Sequence, residues 1–166
     1  YVNFIFVAIF LGYSLGSAPI ISFHYGAGNH DELKNMRKKS LRLIAVWGIG
    51  MTIISHIFAL PFARFFVGYD SELLAMTIHG FRIYAFVYLL NGFNIFGSSF
   101  FTALNNGMVS ATISFLRTLV FEVICILLLP VFFGIDGIWS AVLVAEALAL
   151  CVTSFFLITK RSRYHY

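Results

Sequence analysis

Long apolar runs alternate with short polar ones along this chain. Five apolar stretches stand out, at approximately 1–24, 40–63, 79–104, 109–133 and 137–159. Each is long enough to cross a hydrocarbon core of about 30 Å, which takes about 20 helical residues. All five are expected to be helices, because open backbone polar groups cannot face lipid. A membrane barrel would instead show segments of about ten residues with alternating polarity, and that alternation is absent. The expected fold class is therefore all-α: a polytopic membrane helix bundle of five spanning helices over residues 1–166.

The polar breaks predict where helices start and stop. Asn29-His30-Asp31-Glu32 reads as a helix start with acids in its first turn. It predicts a short amphipathic helix along the membrane surface before the second span. Pro19 is expected to kink the first helix or end its regular part. The second span is expected to end near Leu60-Pro61, with a new helix beginning at Ser71-Glu72. Asn105-Asn106-Gly107 predicts a tight turn, so spans three and four form an antiparallel hairpin. Residues 133–137 (FGIDG) turn the chain again. Gly12 and Gly16, and likewise Ala141, Ala145 and Ala149, repeat every four residues and predict close helix contacts.

Charge orients these segments. Lys34, Arg37, Lys38, Lys39 and Arg42 lie between the first two spans, and Lys160, Arg161 and Arg163 follow the last. Short loops rich in Lys and Arg stay on the cytoplasmic side. Five spans place loop 25–39 and the C-terminal tail on that same side, as the two basic clusters require. A multi-pass protein of the cell (cytoplasmic) membrane is expected, with the lipid bilayer as its partner. The net charge of +4 is taken up by these anchors and is not a nucleic-acid signal.

Composition agrees. The chain is 60% hydrophobic and 11% charged, with mean hydropathy +0.91. A soluble domain carries about 25% charged residues. Cys125 and Cys151 sit inside apolar runs, and no two histidines share helical ligand spacing. No metal site is expected. The chain begins Tyr-Val-Asn without Met, and its first apolar run is too long for a signal peptide. A piece of a longer protein is the expectation.

Two groups carry candidate chemistry. At 100° per residue, Tyr84, Tyr88, Asn91, Asn94, Ser98, Thr102 and Asn105 fall in a sector about 120° wide on the third span. Such a stripe faces either a cavity or helix partners rather than lipid. The second group is Arg117, Glu122 and Glu146. At 1.5 Å per residue, Arg117 lies about 12 Å and Glu122 about 20 Å from the cytoplasmic start of span four. Glu146 lies about 14 Å from the external start of span five. These depths allow an Arg117–Glu146 pair. Intramembrane charge costs roughly 2.5–3.5 kcal/mol, so such residues have a partner or a task such as proton relay.

Several motifs together resemble the C-terminal half of a multidrug and toxic compound extrusion (MATE) transporter. They are residues 19–29 (PIISFHYGAGN) with the basic segment after them, 101–107 (FTALNNG), 114–117 (SFLR), 130–139 (PVFFGIDGIW) and Ala145-Glu146. The resemblance implies helices eight to twelve of a twelve-helix fold, with the N-terminal lobe and helix seven as missing partners. It implies export of drug-like or organic-cation compounds by antiport against protons or sodium, with that gradient as energy source and no cofactor. Small amphipathic or cationic molecules would be the substrates. Some members carry a carboxylate on the third of these helices that takes part in cation binding. This chain has only Asn91 and Asn94 there, which speaks against a sodium site of that kind. Glu122, Glu146 or an acid in the missing lobe would then couple transport.

Other readings fit less well. A lipid-linked oligosaccharide flippase of the same wider superfamily would line its cavity with several cations, and only Arg117 sits at depth. A non-transporting scaffold leaves the stripe and the buried acids without a purpose. An enzyme is not expected, since HExxH, P-loop and GxGxxG motifs are all absent. Five helices alone are expected to be inactive.

Overall fold

The computed structural model describes all residues from Tyr1 to Tyr166. It is helical throughout and contains no strand. Helix α1 spans Val2–Gly26 and α2 spans His30–Val67. Helix α3, Ser71–Tyr84, passes through a 3₁₀ turn at Ala85–Leu89 into α4, Asn91–Ala103. Helix α5, Gly107–Phe115, continues through a π-helical segment at Leu116–Phe121 into α6, Glu122–Thr159. A short α7, Arg161–Tyr164, ends the chain.

Helix α6 is two helices joined at Gly134. There the backbone takes φ 58° and ψ −133°, a conformation that glycine adopts without steric penalty. The second leg folds back on the first, so that Cys125 packs against Ala141 and Ala145. The expected alanine contact holds: Ala141, Ala145 and Ala149 are all buried. With this fold-back, five rods are long and apolar enough to span.

Side-chain caps set three of the starts. Asn29 Oδ1 accepts from the Glu32 amide, Asp70 Oδ1 from those of Glu72 and Leu73, and Asn106 Oδ1 from that of Val109. Each cap satisfies amides that a helix N-terminus leaves unpaired. Asn105, at φ 57°, reverses the chain before α5.

Four expectations are corrected. The basic segment is neither a loop nor a separate surface helix: Lys34 to Arg42 lie on the first turns of α2 itself. The apolar pattern resumes in phase, and nothing between Arg42 and Leu43 breaks the hydrogen-bond ladder. Pro61 does not end α2, which runs on to Val67, and of the two alternatives for Pro19 an end to the helix is excluded, since α1 runs on to Gly26. In lipid, neighbouring groups tolerate the amide that proline lacks. Within this chain Gly12 and Gly16 meet no neighbour: a Cβ at either would find nothing within 4 Å.

The close approaches are elsewhere. A Cβ on Gly48 of α2 would lie 2.6 Å from the Tyr88 carbonyl oxygen, and one on Gly97 of α4 would lie 2.3 Å from Thr153 Cγ2. Thr52 Oγ1 donates to the Ala85 carbonyl at 3.2 Å or to that of Gly48 at 2.8 Å. The Gly48 and Thr52 contacts seat the 3₁₀ turn against α2. The core is aromatic, with Phe10, Tyr88, Phe96, Phe100 and Phe101 almost wholly enclosed. The outside is apolar too: Phe4, Phe65, Leu127 and Phe132 are among many exposed large side chains. Such a surface suits lipid, not water.

Candidate functional site

Asn94 stands at the centre of the bundle on α4 and is fully buried. Its Nδ2 donates to Glu146 Oε2 at 2.7 Å and to the Glu146 backbone oxygen at 3.0 Å. Its Oδ1 accepts from Thr153 Oγ1 at 2.8 Å. Glu146 is 5% exposed. Its other oxygen, Oε1, accepts from Arg117 Nε at 2.8 Å and lies 2.6 Å from the second guanidinium nitrogen. The carboxylate is therefore held on one side by a guanidinium fork and on the other by an amide. Buried charge survives in this way when paired and hydrogen-bonded throughout.

Local backbone explains why these groups meet. Arg117 stands in the π-helical segment, an insertion that re-aims side chains and recurs at functional sites. Gly97 lets α4 approach the second leg of α6 closely enough for Thr153 to reach Asn94. Thr153 was missed by sequence reasoning, yet a signal existed. It follows Glu146 by seven residues, which returns a helix to the same face.

Glu122 is half-buried on the first leg of α6. It follows Arg117 by five residues on the same rod. Arg117 is the one cation of this trio, and its ion pair is with Glu146. With both acids ionised the trio carries one negative charge in excess. Glu146 is paired, whereas Glu122 makes no side-chain hydrogen bond.

The stripe on the third span divides into three environments. The 3₁₀ turn at Ala85–Leu89 and the break at Leu90 (φ −114°) shift the helical phase between Tyr88 and Asn91. Tyr84 and Tyr88 line an aromatic cavity of about 390 Å³ at the end away from the basic clusters, beside Phe62, Phe81 and Trp139. Asn91 and Asn94 are in the core, with Asn91 Oδ1 unpaired. Ser98 and Thr102 join hydroxyls on α5. Ser98 Oγ lies 2.9 Å from Ser110 Oγ and 2.8 Å from Ser114 Oγ, and Thr102 Oγ1 donates to Ser110 Oγ at 2.7 Å. Thr102 and Ser114 are exposed, so this hydroxyl cluster opens onto the bundle surface.

Trp139 closes the aromatic cavity by lying directly on Gly80, where a Cβ would come within 2.2 Å of the indole. Asp136 is tied to the same stretch of α3 by His79 Nε2 at 2.8 Å. In a Trp47→Phe background, Gly80→Ala is expected to expel the indole and shift Trp139 fluorescence to the red. An unchanged spectrum would show that the indole does not depend on that contact.

The family model described as MatE matches residues 1–128. No curated protein matches the sequence. Among solved structures, the fold is similar to the Vibrio cholerae MATE transporter VcmN in the bent form. The identity is 21% and the TM-score 0.84, over 97% of this chain and 37% of that one. It is also similar to the inward-facing conformation of a multidrug resistance MATE family transporter of the MOP superfamily. Here the identity is 18% and the TM-score 0.89, over 98% of this chain and 38% of that one. The chain spans little more than a third of the length of these transporters.

Proposed function

The chain belongs to the MatE family, and on that premise we propose that it forms part of one lobe of a secondary transporter exporting amphipathic or cationic compounds by antiport. A second lobe would supply the facing wall of the substrate path, and alternating access would rock one against the other. The positive-inside rule argues for placing the basic end of the bundle, with Lys34–Arg42 and the tail, in the cytoplasm. The open hydroxyl cluster at Ser98 and Thr102, and the aromatic walls at Tyr84 and Tyr88, are the candidate substrate contacts. Aromatic and apolar walls with few fixed polar groups suit varied amphiphiles.

One observation carries the coupling reading: Glu122 is a half-buried acid on the same rod as Arg117 without a hydrogen-bond or ion-pair partner, while Arg117 is taken by Glu146. We assign Arg117, Glu146 and Asn94 to a fixed strut and Glu122 to proton exchange. A proton on the Glu122 carboxylate leaves the trio neutral, and its release leaves one negative charge. Movement of the lobe is favoured in the neutral state, because excess charge among apolar helices is costly. Asn91 and Asn94 offer no charge to sodium on the third span, which favours protons as the coupling ion.

The test is ethidium efflux from energised cells producing the complete transporter at matched surface levels. Glu122→Gln is expected to cut efflux by more than about tenfold, consistent with loss of a positioned proton-transfer group. Efflux by Glu122→Gln at the unmodified rate, with the same dependence on the proton gradient, would move coupling to another acid. An intact protein that exports no ethidium would overturn the multidrug reading.

A further inference from the structure

The tail after α6 is docked, not free. His165 takes a left-handed backbone (φ 56°) that turns Tyr166 inward. Tyr166 is wholly buried, with its ring edge-on to Phe100 at 4.9 Å and its hydroxyl donating to the Leu157 carbonyl at 3.3 Å. Burial pushes its hydroxyl pKa up to about 12. Tyr164 is held as well, its hydroxyl accepting from Asn106 Nδ2 at 2.8 Å. This docking presses the cations of the tail against those of the first turns of α2.

An open pocket of about 460 Å³ lies between them, lined by Lys34, Ile158, Arg161, Ser162, His165 and Tyr166. Arg37 lies beside it, its guanidinium carbon 5.1 Å from the centre of the Tyr166 ring. Burial and the charge of Arg161 hold the Arg37 guanidinium below its ordinary range. The rings of His30 and His165 are 5.0 Å apart. Arg37 Nε and His30 Nδ1 are buried without a hydrogen-bond partner.

No side-chain carboxylate pairs with Arg37 or Arg161 in this cluster. Asp31 meets Lys34 at 3.4 Å, but its side chain is 97% exposed. Glu32 is engaged by Asn35. The bundle has ion pairs at Lys34–Asp31, His79–Asp136 and Arg117–Glu146, and none reaches Arg37 or Arg161. Cations that repel one another around an open pocket, with buried N–H capacity unused, gain most from a compact multivalent anion. Solvated anchoring of the leaflet does not require this convergence. It is served equally by Lys38, Lys39 and Arg42, which are exposed.

We propose that the pocket between the first turns of α2 and the docked tail binds a phosphate-bearing anion. Such a phosphate comes either from the headgroup of an anionic phospholipid or from a soluble phosphate compound. Lys34 and Arg161 grip its oxygens, and Ser162 donates a hydroxyl hydrogen bond. Arg37, held on the Tyr166 ring, contributes charge from behind. The inference does not depend on the transport reading.

The test uses the purified protein in nanodiscs of phosphatidylcholine alone or mixed with phosphatidylglycerol, with retained lipid counted by native mass spectrometry. Inorganic phosphate is titrated separately against thermal unfolding. Lys34→Gln/Arg161→Gln is expected to weaken binding by about tenfold or more, while Lys38→Gln/Lys39→Gln, with the same change in net charge, leaves it within about twofold. Arg161→Lys, which keeps the charge, is expected to retain most of the binding, separating lost contacts from lost fold. Selective retention of phosphatidylglycerol upholds a headgroup site, and saturable stabilisation by phosphate upholds a soluble ligand. Equal loss in the two double variants, or no binding of either probe, overturns the proposal.

Discussion

Arg117→Leu is expected to destabilise the folded bundle by about 3–5 kcal/mol, and adding Glu146→Leu to recover most of that loss. The single substitution strands Glu146, which is 5% exposed and would keep only Asn94 as a partner. A buried carboxylate without its cation is among the costliest defects a fold can carry, whereas an apolar pair of similar volume is often neutral. Asn94 would remain satisfied in the double variant. Its amide still reaches the Glu146 backbone oxygen at 3.0 Å, and Thr153 still donates to its Oδ1 at 2.8 Å. Unfolding midpoints in detergent for the two single variants and the double variant form a cycle that isolates the pair. Additive losses would mean that Arg117 and Glu146 act separately, and the strut would then have to be abandoned.

The second large effect is expected at Gly48. Gly48→Val should cost about 3 kcal/mol, the upper end of ordinary overpacking, while Gly50→Val on the same helix should be nearly neutral. The difference is geometric. A Cβ at Gly48 would stand 2.6 Å from the backbone oxygen of Tyr88, which cannot swing aside as a side chain does. A Cβ at Gly50 meets nothing within 4 Å. The α2 helix would have to withdraw from the 3₁₀ turn, loosening the hydrogen bond from Thr52 to Ala85 and the seat of Tyr88. The same denaturation series distinguishes the two. Equal effects at both positions would reduce the result to glycine's general influence on a helix.

Much of this was legible in the residues. The five spans, the turn at Asn105-Asn106-Gly107 and the turn within 133–137 are recovered, because each is a local event: a long apolar run, a left-handed Asn, a left-handed Gly. The family was legible as well, since short motifs such as 19–29, 101–107 and 114–117 fall within the residues that the family model matches. Pattern reading failed where a helix had a choice of continuation. Pro19 and Pro61 are helix breakers in water, but α1 and α2 pass through both. The Gly12/Gly16 motif has the right spacing for a close contact, but only three dimensions show which glycines meet a neighbour.

The candidate site divides in the same way. Depth arithmetic along two helices was enough to allow an Arg117–Glu146 pair, because rise per residue is nearly constant. It could not supply azimuth, which the π-helical segment at Leu116–Phe121 resets. Nor could a uniform 100° step follow the stripe through the 3₁₀ turn, where the phase slips and Tyr84 and Tyr88 part from Asn91 and Asn94. By itself, then, the sequence determined that this is a multi-pass helical membrane protein, how many rods it has and in which order, since apolar length and charge placement act through the solvent and need no partner. The tertiary structure alone decided which polar groups share a cavity, which glycines bear a close contact and how the tail meets α2. Those depend on helix phase and on the distance between backbones, which are fixed only when the rods pack.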